Sequence, residues 1–176
     1  MPNRVMVFID GSNVYHSVRD LYQRTDIDYA KLVTCLADGR DNQCTYFYGA
    51  LVDQAREPQA YRDQQRFLSA LRRLPYFEVR MGHLVYRGSP VARPIEKGVD
   101  VRLAVDMLTR AYSDHFDVAV LVSGDNDFAD LVQAVKDRGK HVEVALFDPP
   151  TSSRQLRDVA DKVVVLGSAF LARCWR

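Results

Sequence analysis

Four acids in this chain stand where they could do chemistry together: Asp10, Asp100, Asp125 and Asp127. Asp10 closes an apolar run, Val5 to Ile9, and leads straight into Gly11, Ser12 and Asn13. Asp125 and Asp127 follow a second run, Val118 to Val122, by way of Ser123 and Gly124. Asp100 opens a helical pattern just after Lys97 and Gly98. Carboxylates gathered at one place repel, and some must take up protons unless a cation sits among them. With oxygen as the only donor and no His or Cys set beside it, the fitting ion is a hard one, Mg²⁺ or Mn²⁺. Such an ion binds substrate phosphates, acidifies a bound water and offsets charge on phosphate oxygens. The chemistry that follows is phosphodiester hydrolysis with no covalent intermediate, since no Ser-His or Cys-His arrangement offers a nucleophile. Each acid alone has a plainer reading as a helix cap or first-turn residue. The recurrence of the pattern favours a shared site.

The elements that must position these acids are legible in the hydrophobic pattern. A short unbroken apolar run reads as a strand buried on both faces, as in parallel sheets. Val14, Val18 and Leu21 then repeat at helical spacing after the first run, and Phe128, Leu131, Val132 and Val135 after the second. Asp28 is placed to cap a helix carrying Leu32, Val33 and Leu36. Thr45 to Leu51 is rich in aromatic and β-branched residues and predicts a strand, with Tyr46 and Tyr48 packing on one side. Pro58 suits a first helical position, and the helix after it has an apolar face and an arginine face of Arg62, Arg66, Arg72 and Arg73. Val99 onward is apolar on most sides and predicts a largely buried helix. Its Arg102, Asp106 and Arg110 are spaced to pair along the remaining stripe. Gly139 ends the helix after the second acid run. His141 to Phe147 and Val163 to Leu166 read as further strands, Ser153 as a cap, and Ala169 to Trp175 as a closing helix. Strands alternating with helices predict an α/β fold: a doubly wound, mainly parallel sheet with helices on both faces. In such sheets ligands bind outside the carboxyl ends of the strands. The stretch Tyr76 to Arg93 breaks the alternation and is expected to be a hairpin or flap at the rim.

Composition sets the limits. The 176 residues fit one domain, 1–176, with 47% hydrophobic and 27% charged residues. A net charge of +1 excludes a uniformly basic nucleic-acid coat. Yet ten Lys or Arg against five Asp or Glu lie between Arg56 and Arg102, while the remaining chain has 14 against 18. That middle third is either a solvated helix face or a surface that tracks phosphates. Cys35, Cys44 and Cys174 form no C-x-x-C pair, and the four histidines show no metal-binding spacing. This suits a reducing cytoplasm. No apolar run approaches membrane-spanning length, and the first residues enter a strand too soon for a signal peptide.

Three motifs, FIDGSN (Phe8 to Asn13), KGVDVRLAVDML (Lys97 to Leu108) and VLVSGDNDF (Val120 to Phe128), with DRGKHVEV trailing, resemble the NYN domains of the PIN-like nuclease superfamily. The likeness is to their bacterial LabA-like group and covers nearly the whole chain. The resemblance implies a PIN-like three-layer sandwich and a metal-dependent ribonuclease, expected to be endonucleolytic. It would direct a metal-activated water at phosphorus and leave a 5′-phosphate and a 3′-hydroxyl. It places the metal-binding and catalytic acids at Asp10, Asp100, Asp125 and Asp127. Asn13, Ser12, Ser123 and Lys97 fall in the same motifs as candidate substrate contacts. RNA is the implied partner, with a homodimer or protein partners left open. The competing reading is a non-catalytic regulatory module that binds metal, RNA or another ligand and acts through partner proteins. A small-molecule phosphohydrolase would want a second acid two residues after Asp10, where this chain has Ser12.

Overall fold

The structure is a computed structural model that describes residues 4–86, 94–147 and 153–176. The two apolar runs are neighbouring central strands. Strand β1 (Arg4–Asp10) pairs in parallel with β5 (Val118–Val122), Ile9 opposite Val122, so Asp10 and Ser123 leave the sheet side by side. From β1 the chain winds outward through helix α1 (Gly11–Tyr22), α2 (Tyr29–Ala37), β2 (Asp41–Leu51), α3 (Pro58–Arg72) and β3 (Phe77–Val85). A short antiparallel strand, β4 (Ile95–Lys97), closes that edge. Helix α4 (Val99–Tyr112) then carries the chain back across to β5. It continues the other way through α5 (Ala129–Asp137), β6 (His141–Phe147), α6 (Arg154–Val159), β7 (Lys162–Leu166) and α7 (Ser168–Leu171). The strand order is β4-β3-β2-β1-β5-β6-β7, with β4 the one antiparallel member. The winding direction therefore reverses between β1 and β5, which makes a topological switch point at the carboxyl ends of the two acid-bearing strands.

Alternation along the strands fills a core on each face. Val5, Val7, Ile9, Val118, Val120 and Val122 pack under α1, α2 and α3. Met6, Phe8, Tyr46, Tyr48, Ala119 and Leu121 pack under α4, α5 and α6. Tyr46 and Tyr48 are packing residues, as expected: Tyr46 stacks on Phe8, and Tyr48 is fully buried. Pro58 opens α3, Asp28 caps α2 through the Lys31 amide, and Gly139 takes positive φ beyond α5.

Four expectations are corrected. Helix α4 buries one face, on Val99, Leu103, Met107 and Ala111, while Val101 is 68% and Val105 56% exposed. An apolar sequence on most sides does not bury a helix when only one side meets the sheet. Asp106 and Arg110 do not pair along it. Asp106 accepts from the Tyr48 hydroxyl at 3.0 Å and faces Arg80 at 3.9 Å, and the Arg110 guanidinium lies over the Tyr46 ring. The Phe77 to Val85 stretch is no rim flap but a parallel strand of the main sheet on β2, and β4 pairs with it antiparallel, so the hairpin half of the expectation holds on either side of the β3–β4 turn. Of that turn, residues 87–93 lie outside the described residues, as do 148–152 of the loop expected before α6. Ser153 precedes α6, but its hydroxyl donates to the Gly124 carbonyl at 2.6 Å instead of capping the helix.

Candidate active site

Asp10 is both the last residue of β1 and the cap of α1. Its Oδ1 accepts from the Asn13 amide at 3.1 Å, so capping and a further role coexist in one side chain. Its Oδ2 accepts from the Ser123 hydroxyl at 2.9 Å, and Ser123 Oγ in turn accepts from the Asp125 amide at 3.2 Å. Asn13 Oδ1 accepts from the Gly124 amide at 3.0 Å. The β1–α1 and β5–α5 turns are thus laced together by Ser123 and Asn13, which fixes Asp10 relative to Asp125. Asp125 caps a single 3-10 turn, Asn126–Phe128, through the Asp127 amide at 3.0 Å. That turn is held from below, because Asn126 Oδ1 accepts from the Gln155 and Leu156 amides at the start of α6.

Asp100 reaches the same edge from the sheet's other flank. It lies in the first turn of α4, just after Gly98 in a left-handed conformation. The β4–α4 junction is pressed against β3. A Cβ on Gly82 would lie 2.4 Å from the Lys97 carbonyl oxygen, so glycine there is what lets Asp100 approach.

The electrostatics show that these acids share one field. Burial above all, with Asp100 and Glu96 adding to it, pushes the Asp10 carboxyl up to about 6 against the pull of the Asn13 amide and the Ser123 hydroxyl. Asp100 is raised by desolvation and then by Asp125, Glu96 and Asp127. Among the described residues no lysine or arginine forms an ion pair with any of them. Nor do any three His, Cys, Asp or Glu side chains among the described residues already stand as a metal-binding group. The donor set nevertheless fits a hard divalent cation: it is all oxygen and short of positive charge, with Asp10 buried, Asp125 half-buried, and Asp100 and Asp127 exposed.

Of the expected residues, the structure brings Asp10, Asp125, Ser123 and Asn13 into one hydrogen-bonded cluster, with Asp100 and Asp127 within its field. Ser12 is held at the edge of the cluster: its hydroxyl donates to Glu96 on β4, an acid that raises both Asp10 and Asp100. Lys97 is exposed, opposite His83 in the β3–β4 ladder, and is not drawn in among the acids. Glu96 is the residue that sequence reasoning missed. It adjoins Lys97 in the same motif, but its place depends on a three-residue strand whose pairing no periodicity announces.

Comparison with known proteins bears on the family and the fold. Residues 4–167 match the NYN domain family. The chain is 26% identical over 169 residues to the low amplitude and bright protein LabA of Synechococcus elongatus, covering 94% of this chain and 84% of that one. It is 33% identical over 72 residues to an uncharacterized protein of Methanocaldococcus jannaschii, covering 41% of this chain and 30% of the other. Among solved structures, a protein of unknown function from Vibrio parahaemolyticus superposes with a TM-score of 0.74 at 26% identity, covering 96% of both chains.

Proposed function

The chain belongs to the NYN domain family, within the PIN-like nuclease superfamily, and from that premise we propose that it is a divalent-cation-dependent ribonuclease of the cytoplasm that cuts RNA internally, working as one domain over residues 1–176. The observation that supports this most is the convergence of unneutralised acids from β1, α4 and the turn after β5 at the switch point of the sheet. Asp10, Asp100, Asp125 and Asp127 would hold Mg²⁺ or Mn²⁺. When bound, such a cation supplies positive charge against phosphate oxygens and makes water more acidic. The chain's own residues supply the positioning. Ser123 fixes the Asp10 carboxylate by donating to it. Asn13, its Oδ1 engaged by Gly124, keeps its Nδ2 for a phosphate oxygen. Asp127, the most exposed of the acids after β5, faces the solvent side from which a scissile phosphate would arrive. Lys97 and Ser12 lie on the rim and contact the substrate backbone if the strand runs along β4.

The test is cleavage of end-labelled single-stranded and hairpin RNA with Mg²⁺ or Mn²⁺, comparing the native protein with Asp125→Asn. Asparagine keeps the cap on the 3-10 turn and removes the charge. Cleavage is expected to fall at least about a hundredfold, beyond what loss of a residue supporting a metal ligand costs. Equal cleavage by both proteins would sink the assignment of this site. The alternative, a binding module acting through partners, has one observation on its side: among the described residues no three acids are gathered as a cage. Metal binding with no cleavage by either protein would select it.

A further inference from the structure

Helix α4 carries two apolar rows. The buried one, Val99, Leu103, Met107 and Ala111, lies on the sheet. On the far side Val101, Val105, Leu108 and Tyr112 follow at spacings of four, three and four. That spacing is the heptad seam by which one helix packs along another. Val101, Val105 and Tyr112 are each more than half exposed, Tyr112 at 65%, and Leu108 is half-buried. The row runs about 16 Å, at 1.5 Å per residue. Among the described residues no other element exposes three large apolar side chains. Apolar residues scattered singly on a surface are ordinary, but a contiguous row marks a contact.

Two properties select what covers it. First, the row reads the same from either end. Its spacings are symmetric about the midpoint between Asp106 and Met107, so a two-fold axis across the helix at that level lays Val101 against Tyr112 of a second copy, and Val105 against Leu108. A face that is its own complement is what an isologous interface needs. Second, the charges are arranged to suit the same axis. Helix α5 packs beside α4, and both run from the carboxyl edge of the sheet toward its amino edge. At the far end the Arg138 guanidinium, just past α5, lies 5.1 Å from the centre of the Tyr112 ring. At the near end Asp127, just ahead of α5, acts on Asp100 in the first turn of α4. One end of this two-helix face therefore carries Asp100, Asp127 and Asp130, and the other carries Arg138. Asp137 near that second end is engaged by the Gln133 amide at 2.8 Å. The two-fold reverses the helices and keeps α5 on the same flank, so acid end meets arginine end twice over. Parallel pairing would set acid on acid.

We propose that α4 is a dimerisation helix: two copies of this chain pack antiparallel along the Val101–Tyr112 row, and Arg138 of each copy stands at the acid edge of the other, level with Asp127. The dimer goes beyond the ribonuclease reading and does not rest on it. Where that reading holds, each acid edge gains one cation from the second copy, beside the path of a phosphate backbone. A seam this short makes a small interface, so the dimer is expected to form and dissolve with concentration.

The test is sedimentation equilibrium of the full chain over a wide range of concentration. The native protein is expected to show a monomer–dimer equilibrium. Val105→Asp sets a charge on each copy close to the two-fold axis, at a position that faces solvent in the single chain, and is expected to stay monomeric throughout. Arg138→Asp should weaken the dimer roughly tenfold at low salt, the scale of two exposed ion pairs, with the difference shrinking as salt rises. It is the second probe should Val105→Asp disturb the fold. Direction is read by mixing Val101→Cys with Tyr112→Cys, one of them size-tagged, and adding a short bis-maleimide. Antiparallel packing links Val101→Cys to Tyr112→Cys more than either variant to itself, above the background that Cys35, Cys44 and Cys174 give in the native chain. A dimer that Val105→Asp or Arg138→Asp leaves as tight as the native one overturns the proposal, and so does Val101→Cys linking chiefly to itself. A native chain that stays monomeric at every concentration overturns it too, and would leave the row to a helix of another protein.

Discussion

The two ends of the central strands hold the same residue types in opposite electrostatic states. At the amino end, Arg4 on β1 bonds Asp117 at 2.6 Å and Asp114 at 3.3 Å, and Lys140 closes on Asp114. Arg40 grips Glu143, at the start of β6, with two nitrogens at 2.9 and 3.0 Å, and Lys162 adds a second cation. Each acid there has its positive partner built into the chain. At the carboxyl end, Asp10, Glu96, Asp100, Asp125 and Asp127 meet hydroxyls, amides and one another, and no lysine or arginine pairs with them among the described residues. The consequence appears in their proton affinities: Lys140 and Arg4 hold Asp114 below its ordinary value, while burial and neighbouring acids push Asp10 and Asp100 above theirs. Folding completes the first set. The second is left with a charge that something from outside must answer.

Removing one charge from each end should therefore give opposite phenotypes. Asp10→Asn is expected to lower metal-dependent cleavage at least about a hundredfold while leaving the chelated protein as stable as the native one or more so. Thermal melts in EDTA and cleavage assays check the two halves. A clear loss of stability would mean that Asp10 is there for its cap alone. Glu143→Gln should do the reverse. Breaking a largely buried ion pair strands the Arg40 guanidinium, at an expected cost of about 2 to 4 kcal/mol, with cleavage at low temperature unchanged. Urea titration measures the first, and any large fall in turnover would contradict the division.

How much of this division could be read from sequence differs between the ends. Asp10, Asp125 and Asp127 stood out because each stands where a buried apolar run meets a glycine turn, so local pattern fixed their edge of the sheet. The mainly parallel sheet, the cap at Asp28 and Pro58 at the head of α3 were legible for the same reason. Glu96 was not, since its approach depends on β4 lying against β3 at Gly82, where Gly82 meets Lys97 across the chain with no periodic signature. The Arg40–Glu143 clamp spans 103 residues and was equally silent. Helix α4 misled because hydrophobicity tells how much a helix would bury, not how much surface the fold brings to it.

The pH dependence of stability should separate the ends further. Asp10 has an ordinary value of 3.8 when unfolded and about 6 when folded. Between those limits the folded chain keeps a proton the unfolded chain has released. Its contribution to stability is thus present below pH 4 and lost as pH rises through 6, about 3 kcal/mol over the window. In EDTA, the native protein should lose stability relative to Asp10→Asn from pH 4 to 6 and run parallel to it above. Millimolar Mn²⁺ at pH 7 should restore the native protein and not the variant. Parallel curves throughout would mean that Asp10 is no more protonated in the fold than in the unfolded chain.

The smallest effect is expected where the amino-end network meets water. Asp114 is 70% exposed and adopts a left-handed backbone, which asparagine tolerates, so Asp114→Asn changes charge with little change of shape. Arg4 would keep Asp117, leaving Lys140 as the group that loses its partner. Exposed pairs contribute up to about 1 kcal/mol and are screened by salt. The variant should therefore melt slightly below the native protein at low ionic strength and closer to it in 1 M salt, because Asp114 stands in solvent although the Lys140 side chain is only 12% exposed, whereas the deficit of Glu143→Gln, where acid and base are both mostly out of solvent, should persist. If the Asp114→Asn deficit survives salt undiminished, the Lys140 ammonium is buried more deeply than its pairing with an exposed acid requires. The neutralised end would then be divided into two buried pairs and not into one buried clamp with one screened rim.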